Sequence, residues 1–135
     1  MKEAVDHPTH YNFSKFEVID VIFDWKLDFC MGNVLKYISR AGKKNNEKED
    51  LKKSLFYLRY FIKNYPKIDP VPVVCYPENY QVEEVLKEWQ LPEFLSEAVY
   101  LIGNISETEN YHEVIEILEE VENLIKKHIE ELDVF

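Results

Sequence analysis

Glycine and cysteine are scarce in this chain, which has three Gly and two Cys among 135 residues. So few glycines exclude a collagen-like or Gly-rich flexible chain. Two cysteines without CxxC spacing are too few for a disulfide framework, so we expect reduced, structural thiols at Cys30 and Cys75. No apolar run approaches the roughly 18 residues of a membrane span, and residues 1–6 lack the apolar stretch of a secretory signal. The sequence therefore predicts a cytoplasmic protein with no membrane partner.

The common phosphate-binding and hydrolase signatures are also missing. The chain contains no GxxxxGK[ST] phosphate loop, no GxGxxG fingerprint, no GxSxG elbow and no paired-cysteine zinc pattern. Each of these motifs places a nucleotide, a nucleophile or a metal at a defined point of a known fold. The usual sheet-based nucleotide-binding and hydrolase folds thus have no support.

Charge is distributed unevenly along a chain that is otherwise typical of a globular protein. With 46% hydrophobic and 14% aromatic residues, it can bury one core and should form one compact unit. Residues 1–69 carry a net charge of +3 and residues 70–135 carry −13. The acidic half would repel a long nucleic acid, whereas the basic half can hold a small anion such as phosphate.

Hydrophobic spacing predicts an all-α fold of two three-helix units joined by an extended connector. Gly42 should end the second helix, Asn46 and Glu49 should form a capping box for the third, and Ser106 and Glu109 should open the last. Three closely spaced prolines make the connector extended. The helices are expected at 16–25, 28–41, 47–65, 82–89 and 92–105, followed by a last helix through Ile125.

The two units resemble each other when the sequence is aligned with itself so that Val18 is paired with Val82. In this self-alignment the apolar positions Val18, Val21, Trp25, Leu27 and Ile38 meet Val82, Val85, Trp89, Leu91 and Ile102. We therefore expect an internal duplication. The chain divides into a functional repeat with a nucleotide-type site at 1–65, a connector at 66–80 and a degenerate acidic repeat at 81–135.

Polar positions differ between the two units, and the difference separates chemistry from packing. The cationic positions of the first unit become uncharged or acidic in the second: Lys36, Arg40, Lys43 and Lys53 become Tyr100, Asn104, Glu107 and Ile117. The first unit should therefore hold the one functional site of the chain.

One face of the second predicted helix combines groups suited to a nucleotide. Asn33, Lys36, Tyr37 and Arg40 follow the i, i+3, i+4, i+7 spacing of a helix face. Arg can grip phosphate with two parallel N–H donors, Lys adds a point charge, Tyr can stack on a base and Asn can read a base edge. An ordinary solvated helix face has the same composition and is the alternative interpretation.

Two further groups extend this hypothesis. His7 and His10 flank Pro8 and could donate to phosphate or transfer protons near neutral pH, although a helix-capping turn explains them too. No nearby ligand set completes a metal site around them. On the third helix, Asp50, Lys53 and Tyr57 either line the same cleft or are simply exposed.

Several motifs in fixed order resemble a known phage family over roughly residues 6–63: His7-Pro8-Thr9-His10-Tyr11, then residues 17–22, 32–44, 49–53 and 57–58. The family is domain of unknown function 3310, whose members are often labelled nucleotide kinase. The resemblance implies these site residues: His7, His10, Tyr11, Asn33, Lys36, Tyr37, Arg40, Lys43, Asp50 and Lys53. It also implies a phage protein that acts in the cytoplasm of the infected bacterium. The acidic half of the chain lies outside the family pattern.

Three functions remain open at this point. The first is a cofactor-free binder of a phosphate-bearing nucleotide, which could sequester a cyclic-nucleotide or ADP-ribose-type defence signal. The second is a nucleoside monophosphate kinase, which would require magnesium, with Asp20, Asp24 and Asp50 as nearby ligands, and a second substrate site, for instance in a homo-oligomer. The third is an acidic protein–protein interaction module.

Overall fold

The computed structural model describes residues 16–43, 46–108 and 110–134, and all regular structure in these ranges is helical. The all-α prediction is therefore confirmed. The helices are α1 (Val18–Asp24), α2 (Phe29–Ser39), α3 (Glu47–Asn64), α4 (Val82–Trp89), α5 (Glu93–Gly103), a 3-10 turn (Ile105–Glu107) and α6 (Tyr111–Leu132). None of the helices in the described ranges is long and apolar enough to cross a membrane.

Local side-chain chemistry sets the limits of the first three helices. Glu17 and Asp20 form a reciprocal capping box at the start of α1. At the start of α2, the Asp28 carboxylate accepts a hydrogen bond from the Met31 amide. After α2, Gly42 adopts a φ of +78°, which a residue with a side chain rarely does. This glycine turns the chain back so that α3 packs against α2.

The core lies where the two long helices, α3 and α6, meet each other and the shorter helices. Helix α2 packs mainly on α3, and α5 packs mainly on α6, while α3 and α6 join the two units. The largest fully buried side chains come from both units, which gives the described chain one continuous core. At Gly103 in α5 even a methyl group would overlap the side chain of Val82 in α4, so this close approach of two helices requires glycine.

The connector between the units is held by the end of α1. The Asp24 carboxylate is buried and accepts hydrogen bonds from the backbone N–H groups of Glu78, Asn79 and Tyr80 and from the Asn79 amide. The indole of Trp25 donates to the Tyr80 carbonyl at 2.6 Å. The non-helical segment is thus fixed in place by α1.

The helix positions repeat in the same self-alignment as the sequence. Helices α1, α2 and α3 begin at Val18, Phe29 and Glu47, and α4, α5 and α6 begin at the residues paired with them, Val82, Glu93 and Tyr111. The two non-glycine residues with left-handed backbone in the described ranges, Lys26 and Gln90, are also paired. A matching strained position is harder to explain by chance than matching helices, so it supports the proposed duplication.

Three details of the sequence prediction are wrong. Asn46 precedes α3 but its side chain makes no capping hydrogen bond. Pro92 is the cap of α5 rather than part of its first turn. Ser106 does not open the last helix, because Ile105–Glu107 forms a 3-10 turn and Asn110 caps α6 by accepting from the His112 and Glu113 amides. Asn110, like Ser106, is of a residue type preferred at helix N-caps.

Candidate anion-binding site

The packing of α2 on α3 fixes the surface that carries most of the predicted site residues. Leu35 and Ile38 of α2 and Leu51 and Leu58 of α3 are fully buried in the core. Beside them the buried Ser54 hydroxyl donates to the Val34 carbonyl at 3.0 Å and ties the two helices together. Side chains on the solvent side of this contact are therefore held at a fixed separation.

Three cations converge on the ring of Tyr37. The Lys36 ammonium lies 5.5 Å from the ring centroid, the Arg40 guanidinium 5.7 Å and the Lys53 ammonium 5.6 Å. These distances are within the range of cation–π contacts. Helix α2 supplies two of the cations and α3 the third, so the arrangement depends on the tertiary fold. We call Tyr37, Lys36, Arg40, Lys53 and Asp50 the Tyr37 cluster.

Asp50 pairs with only one of these cations. Its carboxylate is nearly fully buried and lies 3.2 Å from Nε of Arg40. The two facing atoms do not have hydrogen-bond geometry, so the contact is mainly electrostatic. In the described part of the chain, Lys36 and Lys53 form no ion pair. The cluster therefore keeps an excess of positive charge at its surface.

Mutual repulsion makes this arrangement receptive to an anion. Each cation is within 6 Å of the same centroid, so any two are at most about 11 Å apart. This separation is close to the Debye length of about 8 Å at physiological ionic strength, so salt screens the repulsion only in part. A bound phosphate would relieve the repulsion and accept charge-assisted hydrogen bonds.

The structure places the other predicted residues differently. Asn33 lies on α2 beside the cluster, and its amide donates to the Phe29 carbonyl. The Lys43 ammonium instead donates to the carbonyls of Ser39 and Trp89, and burial lowers its pKa. Lys43 is thus tied to the second unit rather than to Tyr37. His7, His10 and Tyr11 lie outside the described residues.

Two aromatic residues next to the cluster, Phe29 and Phe56, were missed in the sequence, whereas Tyr57 was already considered with Asp50 and Lys53. The rings of Tyr37 and Tyr57 are nearly parallel with centroids 6.4 Å apart, and Tyr57 also contacts Phe29 and Phe56 edge-on. A signal was present, because Phe29, Asn33 and Tyr37 are spaced by four residues and so share one row of α2.

The three aspartates considered as magnesium ligands do not suit a magnesium ion. Asp24 is occupied by the connector, Asp20 accepts the Glu17 amide in the capping box, and Asp50 faces Arg40. Magnesium needs carboxylate oxygens directed at a common point and open to water. Among the described residues, no three His, Cys, Asp or Glu side chains converge in this way.

A separate groove of the described surface lies away from the Tyr37 cluster. It has a volume of about 990 Å³ and runs between α1 and residues 78–80 of the connector. Its one cation, Lys26, is already paired with Glu78 at 2.6 Å. The groove therefore offers an anion much less than the open Tyr37 cluster does.

Comparison with known proteins confirms the family resemblance over the first unit. The family described as "Protein of unknown function (DUF3310)" matches residues 5–59. The chain is 41% identical over 73 residues to the gene 1.7 protein of Enterobacteria phage T3, and the aligned region covers 47% of this chain and 45% of that protein. It is 39% identical over 74 residues to the nucleotide kinase gp1.7 of Escherichia phage T7, covering 48% of this chain and 38% of the relative.

The chain thus matches less than half the length of either phage relative. No solved structure matches it.

Proposed function

We propose that the surface formed by α2 and α3 binds the phosphate of a nucleotide. The observation that carries this proposal is the convergence of Lys36, Arg40 and Lys53 on one tyrosine ring with a single carboxylate among them. A solvated helix face would carry cations too, but it would not be expected to gather three of them from two helices around one point. The similarity to a phage protein named nucleotide kinase supports a nucleotide as the source of the phosphate.

Each residue of the cluster has a distinct role in this proposal. Asp50 holds the inner edge of the Arg40 guanidinium, so the remaining N–H groups can grip two phosphate oxygens. Lys36 and Lys53 supply point charges from α2 and α3, and the Tyr37 hydroxyl can donate to an oxygen. His7 and His10 are expected to approach the same phosphate, as the family resemblance implies.

The primary form of the proposal is binding without chemical change. The cluster provides one anion site per chain, and the corresponding positions of the second unit, Tyr100, Asn104 and Ile117, carry no charge to hold another nucleotide. A protein of this kind would sequester its ligand, and a cyclic-nucleotide or ADP-ribose-type signal of the host is a suitable target class.

A nucleotide kinase is the second candidate, because one relative carries that name. Phosphoryl transfer needs a donor and an acceptor in line and a magnesium ion between them. Asp20, Asp24 and Asp50 are engaged in other contacts, so these three are poorly placed to hold the metal. In the kinase form of the proposal, a homo-oligomer would supply the second substrate site.

Isothermal titration of nucleotides into the wild type and variants tests the binding site. Lys36→Ala and Arg40→Ala should each weaken nucleotide binding by roughly 10- to 150-fold, because a hydrogen bond to a charged group contributes about 1.5–3 kcal/mol. Lys63→Ala removes the same charge from an exposed position near the end of α3 and should leave affinity within about twofold. Equal effects of Lys36→Ala and Lys63→Ala would contradict the proposed site.

Arg40→Ala also leaves the buried Asp50 without its partner, so its thermal unfolding must be compared with that of Lys36→Ala. Arg40→Lys restores the charge without the bidentate geometry and should recover part of the affinity. A nucleotide held at 100 times its dissociation constant should stabilise the wild type by about 2.7 kcal/mol. No stabilisation by any mono-, di-, tri- or cyclic nucleotide would favour the protein-interaction alternative.

Product analysis separates the binder from the kinase. The protein is incubated with ATP, magnesium and each nucleoside monophosphate, and the nucleotides are separated by chromatography. We expect all of them to be recovered unchanged. Multiple-turnover formation of a diphosphate that disappears in Arg40→Ala would establish the kinase instead.

A further inference from the structure

Three aromatic side chains form a continuous surface beside the Tyr37 cluster. The Tyr57 ring lies 5.8 Å from Phe29 and 5.4 Å from Phe56, in edge-to-face contact with both. Tyr57 also contacts the ring of Tyr37: the two ring centroids are 6.4 Å apart and the ring planes are inclined by only 9°. We call Phe29, Phe56 and Tyr57 the aromatic platform.

The platform is open to solvent although its residues are large and apolar. Phe29 is 75% exposed and Phe56 is 63% exposed, while Tyr57 is half-buried. Single exposed phenylalanines are ordinary, but rings that contact one another and adjoin a cationic cluster mark a binding surface. Such a surface suits a planar π-system, because stacking on aromatic rings is favourable for every base.

Asn33 lies between the platform and the cations. Along α2 it is four residues from Phe29 and three from Lys36, which places it about 6 Å and 4.5 Å from them along the helix axis. Its amide nitrogen is used by the Phe29 carbonyl, but its amide oxygen accepts no hydrogen bond from the described residues. An amide oxygen in this position can accept from an amino or imino group at a base edge or from a ribose hydroxyl.

We infer that the aromatic platform receives the base of the nucleotide whose phosphate lies on the Tyr37 cluster. This inference rests on the proposed function and specifies the ligand as a single nucleotide with an unpaired base. Phosphate, sugar and base would then lie in order along α2, from Arg40 and Lys36 past Asn33 to Phe29. A sugar phosphate or inorganic phosphate would use only half of the site.

The second unit lacks both ends of this surface. In the self-alignment of the two units, Phe29 and Phe56 correspond to Glu93 and Glu120, and Tyr57 corresponds to Val121. Asn33 becomes Glu97 in the same alignment. Acidic side chains at the platform positions would repel a nucleotide phosphate. The second unit therefore lacks both the aromatic residues and the cations of the first unit. This joint loss is expected if both serve one ligand.

The decisive measurement compares a ligand with a base and one without. Binding of a nucleoside 5′-monophosphate series and of ribose 5-phosphate is measured by titration calorimetry for the wild type, Phe29→Ala and Phe23→Ala. Phe23 is the matched control, since it is 86% exposed on α1 and lines the other groove. All variants are also examined by analytical ultracentrifugation.

Phe29→Ala should weaken binding of the monophosphate by roughly 5- to 150-fold, the effect of losing one base–aromatic stack. The same variant should bind ribose 5-phosphate as the wild type does, and Phe23→Ala should change neither ligand. Phe29→Leu should bind the monophosphate as weakly as Phe29→Ala, whereas Phe29→Tyr should keep the wild-type affinity, because the requirement is for a π-face.

The outcomes distinguish this inference from the proposal on which it depends. If Lys36→Ala weakens monophosphate binding but Phe29→Ala does not, the phosphate site stands and the platform is refuted. If neither the monophosphates nor ribose 5-phosphate binds and no other nucleotide stabilises the protein, both are overturned. If Phe29→Ala alters the sedimentation coefficient of the free protein and leaves affinity unchanged, the platform is a contact with a second copy of the chain.

Discussion

Replacing Asp24 tests how the connector between the two units is held. This carboxylate is the acceptor for three consecutive backbone N–H groups, those of Glu78, Asn79 and Tyr80, and for the Asn79 side chain. Burial by itself raises the pKa of Asp24. The hydrogen bonds from Tyr80, Asn79 and Glu78 together lower the pKa by more than burial raises it, so it lies below the ordinary value of 3.8. The carboxylate is therefore ionised and strongly solvated by the connector.

The magnitude follows from the number of bonds and from where their donors go. Hydrogen bonds to a charged group contribute about 1.5–3 kcal/mol each. Glu78 and Asn79 are exposed, so their three donors regain water in Asp24→Ala and contribute only in part, whereas the bond from the half-buried Tyr80 counts in full. We expect Asp24→Ala to lower the free energy of unfolding by about 3 kcal/mol and the melting temperature by roughly 10 °C.

Urea unfolding followed by tryptophan fluorescence measures this loss, because the Trp25 indole donates to Tyr80 in the same segment. Asp24→Asn is the control, since it keeps the size and removes the charge. Because the folded pKa of Asp24 is lowered, its contribution is complete above about pH 4 and is lost as the pH falls through the folded pKa. The difference between wild type and Asp24→Asn should narrow in that range. A loss below about 1 kcal/mol at pH 7 would refute the reasoning.

Two other predictions concern the core. Trp25→Ala and Trp89→Ala should each cost roughly 3–5 kcal/mol of unfolding free energy, with the larger loss at the fully buried, hydrogen-bonded Trp25; a negligible loss at either would contradict their equivalent positions. Burial raises the pKa of Cys75 to about 12, and it raises the pKa of Cys30 too, although the Cys30 side chain is only half-buried. Iodoacetamide followed by mass spectrometry should thus modify Cys30 first, and faster labelling of Cys75 in the folded protein would count against this core.

Much of the helical fold could be predicted because its signals are local. Apolar spacing predicted α4 with its observed limits, and Gly42 marks the end of the α2 segment as expected. The Trp-x-Leu pattern at Trp25 and Trp89 indicated equivalent positions, and the residue after each Trp has left-handed backbone. Where a segment holds two residues of a capping type, such as Ser106 and Asn110, apolar periodicity does not distinguish between them.

The rest of the candidate site depends on contacts that sequence spacing does not contain. The spacing placed Lys36, Tyr37 and Arg40 on one face of α2, but the contact of Lys53 with Tyr37 follows from helix packing. The sequence interpretation considered Asp24 as a magnesium ligand because it lies near the basic unit. Its partners are 54 to 56 residues away, so only the folded chain shows that it holds the connector.

The acidic second unit has a structural part in the site even though it carries no cation there. Lys43 and Glu47 lie between Arg40 and Asp50 in the sequence, and both contact the second unit. Lys43 donates to the Trp89 carbonyl at 3.2 Å, before the α2–α3 turn. After it, the Glu47 carboxylate lies 2.5 Å from Nε2 of His128 and accepts the Gly42 amide at 3.1 Å through its other oxygen.

Helix α6 therefore supports both ends of the turn. It contacts Glu47 directly through His128, and it supports Lys43 indirectly, because α6 packs on α5, which packs on α4 with Trp89 at its end. Rigid support of this kind matters for a surface that gathers like charges, because Lys36, Arg40 and Lys53 would otherwise separate to relieve their repulsion. Such a supporting role needs the buried residues of the second unit, through which α6 packs on α3, and places no demand on its exposed, acidic face.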